Sequence, residues 1–249
     1  MPVATGPTLT PEVTHDTLFA GTLRCAQSRH GYRFSIDAVL LAHFVCPRRD
    51  DRVLDLGAGC GVISLILVYR HPSLVITCLE IQESLAALLA QNIVDNGLED
   101  RLGLCRGDVR EARSFFAAGA FDLVVCTPPY YRAGSGRQNG NEEQSLARHE
   151  LRAGLDDFVG AAAHALRVGG RLAMIYPAAR GATLFAALRQ GRLEPKRLQV
   201  VSPYPGAEGT LVLVEALKGG GEGLAILAPL AIHDSPGGGY SPTVATYYR

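Results

Sequence analysis

The chain has 249 residues, 47% apolar and 19% charged, with 24 basic side chains balanced by 24 acidic ones. This composition excludes a disordered chain, and no apolar run reaches the roughly 18 residues of a membrane span. Zero formal net charge also argues against a protein that coats nucleic acid through a generally basic surface.

In chain order, Met1–Asp16 is rich in Pro and Thr, has no apolar core, and reads as a fraying arm rather than a targeting peptide. Thr17–Ala26 is strand-like, His30-Gly31 is a turn, and Ser35–Phe44 predicts an amphipathic helix with Ser35 as its cap. These pieces make an N-terminal arm and lid, residues 1–50. Strand-like runs follow at Arg52–Leu56, Val75–Glu80, Leu102–Asp108, Phe121–Thr127, Arg171–Tyr176, Leu198–Ser202 and Thr210–Leu217. Helical patterns lie between them at Val62–Tyr69, Glu83–Asn96, Leu155–Leu166 and Ala179–Gln190. Such alternation predicts an α/β fold: a Rossmann-like, seven-stranded, mostly parallel sheet with helices on both faces. The last two runs have only a Pro- and Gly-bearing loop between them, which predicts a hairpin and one antiparallel edge strand. An apolar run, Leu224–Ile232, and a Gly/Tyr-rich tail, Gly237–Arg249, close residues 51–249, a single globular unit.

Six scattered cysteines (Cys25, Cys46, Cys60, Cys78, Cys105 and Cys126) form no C-x-x-C pair. They read as reduced thiols of a cytoplasmic protein, with no metal implied. Lysine occurs only at Lys196 and Lys218, so the positive charge is arginine, suited to bidentate phosphate contacts.

The strongest local signal is Asp55-Leu56-Gly57-Ala58-Gly59-Cys60-Gly61, a strand end with Gly at alternate positions before a helix. Glycines there let the backbone turn tightly and approach a ligand. A dinucleotide fingerprint would need Gly where Val62 stands, so hydride chemistry is disfavoured. The pattern instead resembles the first motif of class I methyltransferases. Glu80, closing the second core strand, is placed to accept the hydrogens of a ribose diol. Asp108, ending the third, can receive an adenine's exocyclic amine. Ala58, Ile81 and Val109 complete this set of cofactor-binding candidates.

The fourth core strand runs into Thr127-Pro128-Pro129-Tyr130. Two prolines cannot continue a buried strand, so a rigid loop begins there, at the sheet edge where ligands bind. It resembles the Asn/Asp-Pro-Pro-Tyr motif of amino methyltransferases, in which the first side chain and the next carbonyl accept hydrogen bonds from the target amine while the aromatic ring stacks on the substrate. Thr127 departs from that pattern. Its hydroxyl still accepts a hydrogen bond but lacks a planar amide oxygen, which costs roughly 1–3 kcal/mol if the bond is lost.

Three further stretches narrow the family: Gln27–Phe44; Pro128–Asn139 with Ala147-Arg148-His149-Glu150; and Pro229–Asp234 with Gly239-Tyr240-Ser241-Pro242. Together with the glycine motif they resemble the YfiC-like bacterial methyltransferases that form N6-methyladenine beside the anticodon of valine tRNA. The resemblance implies S-adenosylmethionine (SAM) as cofactor, tRNA as partner, and Thr127, Pro128, Pro129 and Tyr130 as the catalytic loop. It also places Phe34, Ser35 and Asp37 at the cofactor's amino-acid end, although Ser35 reads equally well as a simple helix cap. Tyr130, Tyr131, Arg132, Arg137 and Arg148, with Arg152 nearby, are candidates to hold a flipped base and its phosphates; a solvated arginine face is the competing reading. Methyl transfer to a neutral amine needs no strong base, so His30, His43 and His149 read as packing or loop residues. Alternatives in the same chemistry are a ribosomal-RNA guanine-N2 or protein-glutamine N5 methyltransferase. A SAM- or RNA-binding module that has lost turnover through Thr127 is the non-enzymatic alternative.

Overall fold

The computed structural model describes residues 13–29, 35–130 and 153–249. Phe34, Tyr131, Arg132, Arg137, Arg148 and Arg152, expected at the site, lie outside the described residues, as do His30, Gly31 and His149. An antiparallel hairpin, β1 (Val13–Leu18) and β2 (Leu23–Ser28), opens the fold. Ser35, in extended conformation, then caps α1 (Ile36–Phe44) by accepting the Asp37 N–H at 3.3 Å.

Among the described residues the central sheet has nine strands, of which seven form its body: β3 (Arg52–Leu56), β4 (Val75–Glu80), β5 (Leu102–Arg106), β6 (Phe121–Cys126), β7 (Leu166–Pro177), β8 (Leu193–Ser202) and β9 (Leu211–Lys218). Their order is β8-β9-β7-β6-β3-β4-β5. β3 to β7 run parallel, and β9 lies antiparallel between β7 and β8. The antiparallel margin is thus a hairpin whose second strand folds inward, placing the reversed strand one position in from β8. The apolar run at 224–232 supplies two-residue strands, β10 (Ala225–Ile226) and β11 (Leu230–Ala231), that pair with β8 and cover its open edge.

α2 (Val62–Arg70) and α3 (Glu83–Asp95) pack with α1 and β2 over one face of the sheet. α4 (Ala112–Phe115), α5 (Leu155–Ala165) and α6 (Gly181–Gln190) belong to the other face. The short terminal α7 (Pro242–Thr246) sends Val244 into the first face. α1 is not the amphipathic helix that its sequence suggested. Ala38 to Ala42 and Phe44 are all buried, because α1 is packed by α2, the sheet and the tail rather than lying on the surface. Full burial of Leu40 and Leu41 stabilises this packing by roughly 1.5–3 kcal/mol each. His43 stacks on Tyr247 at 4.0 Å, and burial lowers its pKa to about 4, so it is a neutral packing residue.

Several boundaries differ from those read in sequence: the run Thr17–Ala26 is parted by a turn at 19–22, Val13–Asp16 of the expected arm belongs to β1, and β8 begins at Leu193 rather than Leu198. β5 stops at Arg106, because Asp108 turns to accept the Arg110 N–H and caps a short 3-10 turn over 109–111. β7 begins at Leu166 directly after α5, five residues before the Arg171 start read in sequence, and its pairing with β6 shifts register between Phe121 and Leu123. No helix among the described residues is long and apolar enough to cross a membrane.

Candidate active site

The order of strands reverses between β3 and β6: from β3 the chain proceeds outward through β4 and β5, and β6 starts the other half. Open α/β sheets bind ligands outside the carboxyl ends of the strands at this switch point. The glycine loop after β3 and the Thr127–Tyr130 loop after β6 both arise there.

The glycine loop needs its glycines. Gly57, Gly59 and Gly61 have φ of 70°, 60° and 90°, a region L side chains avoid. Space is lacking too: a Cβ on Gly61 would collide with Leu89 Cδ1, and one on Gly57 would press the Phe158 ring at 3.2 Å. The loop is tied to the end of β4, where the Leu79 carbonyl accepts the Gly57 and Ala58 N–H groups at 2.8 and 3.0 Å. Glu80, 4% exposed, accepts the Gly59 N–H on Oε2 and the Gln82 N–H on Oε1, both at 2.8 Å. It is therefore no solvated strand-end charge. Each oxygen spends one acceptor position on the backbone and keeps one for a hydroxyl donor.

Asp55 sits beneath the loop, 1% exposed. Its Oδ2 accepts the Ser64 hydroxyl at 2.7 Å, while Oδ1 is buried without a hydrogen-bond partner among the described residues. Burial raises the carboxyl's pKa to about 7, against the lowering effect of the Ser64 bond. Asp108 is held differently. Its carboxylate takes the Arg110 N–H and the Arg110 guanidinium at 2.9 Å, and those bonds lower its pKa. Ile81 is half exposed beyond Glu80, whereas Val109 is buried. An unpaired buried acidic oxygen, a second buried carboxylate with acceptor capacity, and an exposed apolar side chain fit a cationic nucleoside-bearing cofactor. No group of three or more His, Cys, Asp or Glu suited to a metal ion occurs among the described residues.

On the β6 side, Thr127 is half-buried one residue past the Cys126–Met174 ladder pair, and its side chain has no hydrogen-bond partner among the described residues. Pro128 is buried behind it. Three side chains from elsewhere locate Tyr130. Its hydroxyl donates to Asp37 Oδ2 at 2.7 Å, its ring meets Tyr176 edge-on at 5.7 Å, and its carbonyl accepts from Arg180 Nη1 at 3.3 Å. Arg180 also lies 5.1 Å over the Tyr176 ring. Tyr176 and Arg180 were not legible as site residues. The usable signal was their position at the carboxyl end of the strand next to β6.

A parallel sheet with a glycine loop and an acidic residue at successive strand ends, and a Pro-Pro-Tyr loop at the switch point, defines a class I methyltransferase. The chain belongs to the methyltransferase small domain family, whose model matches residues 35–188. It is 28% identical to a Shewanella sp. (strain W3-18-1) protein named tRNA1(Val) (adenine(37)-N6)-methyltransferase, over 66% of this chain and 68% of that one. An Aeromonas salmonicida protein of the same name is 27% identical over 88% of this chain and 87% of its own length. Among solved structures, a predicted O-methyltransferase of Agrobacterium tumefaciens superposes with TM-score 0.69 at 24% identity, covering 85% of this chain and 95% of that one. That likeness concerns the fold.

Proposed function

We propose that this chain transfers a methyl group from SAM to N6 of an adenine in tRNA, in the anticodon region, within the cytoplasm. The observation that carries the reading is the Thr127-Pro128-Pro129-Tyr130 loop at the switch point, with Tyr130 located by Asp37, Tyr176 and Arg180. When bound, SAM supplies an electrophilic methyl on its sulfonium. The Thr127 hydroxyl and the Pro128 carbonyl accept the two amine hydrogens, turning the nitrogen lone pair toward that methyl. Tyr130 stacks on the base, a contact worth on the order of 1–3 kcal/mol. The methylated nitrogen, positively charged once the new bond has formed, would release its proton to solvent water, so no strong base is required.

In this reading Gly57 to Gly61, with Ala58, cradle the cofactor. Glu80 accepts from its ribose diol, Asp108 from its adenine amine, and Ile81 and Val109 flank the ring. Phe34, Ser35, Asp37 and Asp55 serve its amino-acid end, Ser35 while also capping α1. Tyr131, Arg132, Arg137 and Arg148 hold the RNA, and residues 1–50 act as the lid of a catalytic unit over 51–249. The names of the relatives support adenine and tRNA.

The test is incubation with labelled SAM and bulk tRNA, then digestion to nucleosides. Label in N6-methyladenosine is expected. Label in N2-methylguanosine would transfer the reading to a guanine enzyme, and no label in tRNA would overturn it in favour of a methyltransferase of another substrate or a binding module.

A further inference from the structure

Asn92 is completely buried on α3, in a helix face otherwise formed by Leu85, Leu88, Leu89 and Ile93. An amide among apolar side chains is costly unless its polar atoms are paired, so the destination of each bond matters. Oδ1 accepts the Ala26 N–H at 2.6 Å, and Nδ2 donates to the Ala26 carbonyl at 3.0 Å. Asn92 thus adds one ladder-like rung to β2. The remaining Nδ2 hydrogen reaches the Cys60 carbonyl at 2.8 Å, with Cys25 Sγ at 3.8 Å. Cys60 stands between Gly59 and Gly61, both at positive φ, so its carbonyl direction reports the shape of the whole loop. Ala26 turns both its N–H donor and its carbonyl acceptor to Asn92, which fixes the orientation of the amide.

We propose that Asn92 is a positioning residue for SAM binding: it touches no substrate, but locks the glycine loop and couples it to the β1–β2 hairpin. This rests on the SAM reading of the loop. The same helix offers an internal control. Asn96, the C-cap one turn on, accepts the Arg24 N–H at 2.9 Å and donates to the Arg24 carbonyl at 2.8 Å and to the Asn92 backbone carbonyl, not its side chain, at 2.7 Å. It holds the hairpin in the same manner and has no bond to the glycine loop.

The experiment measures SAM affinity by calorimetry in the parent, Asn92→Ala and Asn96→Ala, with hydrogen exchange of the Gly59 amide in the ligand-free proteins. Losing the Cys60 bond should weaken SAM binding about ten-fold and speed Gly59 exchange in Asn92→Ala, a loss equivalent to one good hydrogen bond. Asn96→Ala should do neither. Unchanged affinity in folded Asn92→Ala, or an equal loss in Asn96→Ala, overturns the proposal and leaves Asn92 as a hairpin anchor only. If Asn92→Ala does not fold, the parent decides: SAM should slow exchange at the Ala26 amide and not at the Arg24 amide, and an equal response at both overturns the coupling. A parent that binds no SAM defeats the cofactor reading instead, while Gly59 exchange in the two variants still decides whether Asn92 locks the loop.

Discussion

The Tyr130 hydroxyl donates to Asp37 Oδ2 at 2.7 Å across 93 residues of sequence, joining the first turn of α1 to the loop after β6. In the proposed site Asp37 faces two donors, this phenol and the cofactor's ammonium, so one carboxylate links the cofactor side to the substrate side. Tyr130→Phe removes the phenol bond and keeps the ring. It should raise KM for RNA several-fold, with kcat nearly kept and SAM affinity unchanged. Tyr130→Ala also removes stacking and should lower kcat/KM by about ten-fold or more. Asp37→Ala should weaken SAM binding as well. Steady-state kinetics with calorimetry separates the three, and equal RNA KM in parent and Tyr130→Phe would make the hydrogen bond irrelevant to substrate.

Glu80 holds the loop through Gly59 and, in the proposed site, the ribose as well. Glu80→Ala should weaken SAM binding by roughly 1.5–3 kcal/mol, because charge-assisted bonds are lost on both sides. Glu80→Gln keeps one acceptor oxygen and should lose less. Calorimetry giving parental affinity in a folded Glu80→Ala protein would remove Glu80 from the site.

Asp55 provides a pH test. Its pKa rises from 3.8 to about 7 on folding, because burial penalises the carboxylate. The folded state therefore holds a proton that the unfolded chain has released between those values. This contribution to stability is complete below about pH 4 and declines as pH rises through 7, by roughly 1.4 kcal/mol per pH unit within the window. Asp55→Asn retains an oxygen for Ser64 and removes the titration. Denaturant unfolding from pH 4 to 8 should show a flatter profile for Asp55→Asn than for the parent, and superimposable profiles would mean that Asp55 ionises normally.

What sequence revealed and what it concealed divide along local and distant contacts. Arg52–Leu56 and Val75–Glu80 were legible because buried parallel strands read as apolar runs, and the glycine loop because three positive-φ positions demand Gly. Asp108 lies past the strand it was assigned to, since its side chain prefers capping a turn to extending a ladder. The burial of α1 was hidden, because its partners come from both ends of the chain. The Asp37–Tyr130 and Asn92–Cys60 bonds follow no sequence spacing; tertiary folding alone creates them.

In the proposed site Thr127 governs how well the target amine is held. It stands one residue beyond the last pair of β6, half-buried, where the target amine must lie in the proposed geometry. Its side chain has no competing hydrogen bond among the described residues and is available as an acceptor, although shorter than an amide and not planar. Thr127→Asn should therefore keep or raise turnover. Thr127→Val retains the shape, deletes the acceptor, and should reduce turnover by about ten-fold or more. The measurement is single-turnover methylation of an adenine-bearing anticodon stem-loop at saturating SAM, so that binding differences do not intrude. Equal rates for Val and Thr would show that the hydroxyl accepts nothing and that the Pro128 carbonyl alone directs the amine. A rate in Thr127→Asn well above the parent would identify Thr127 as a brake on an otherwise complete site.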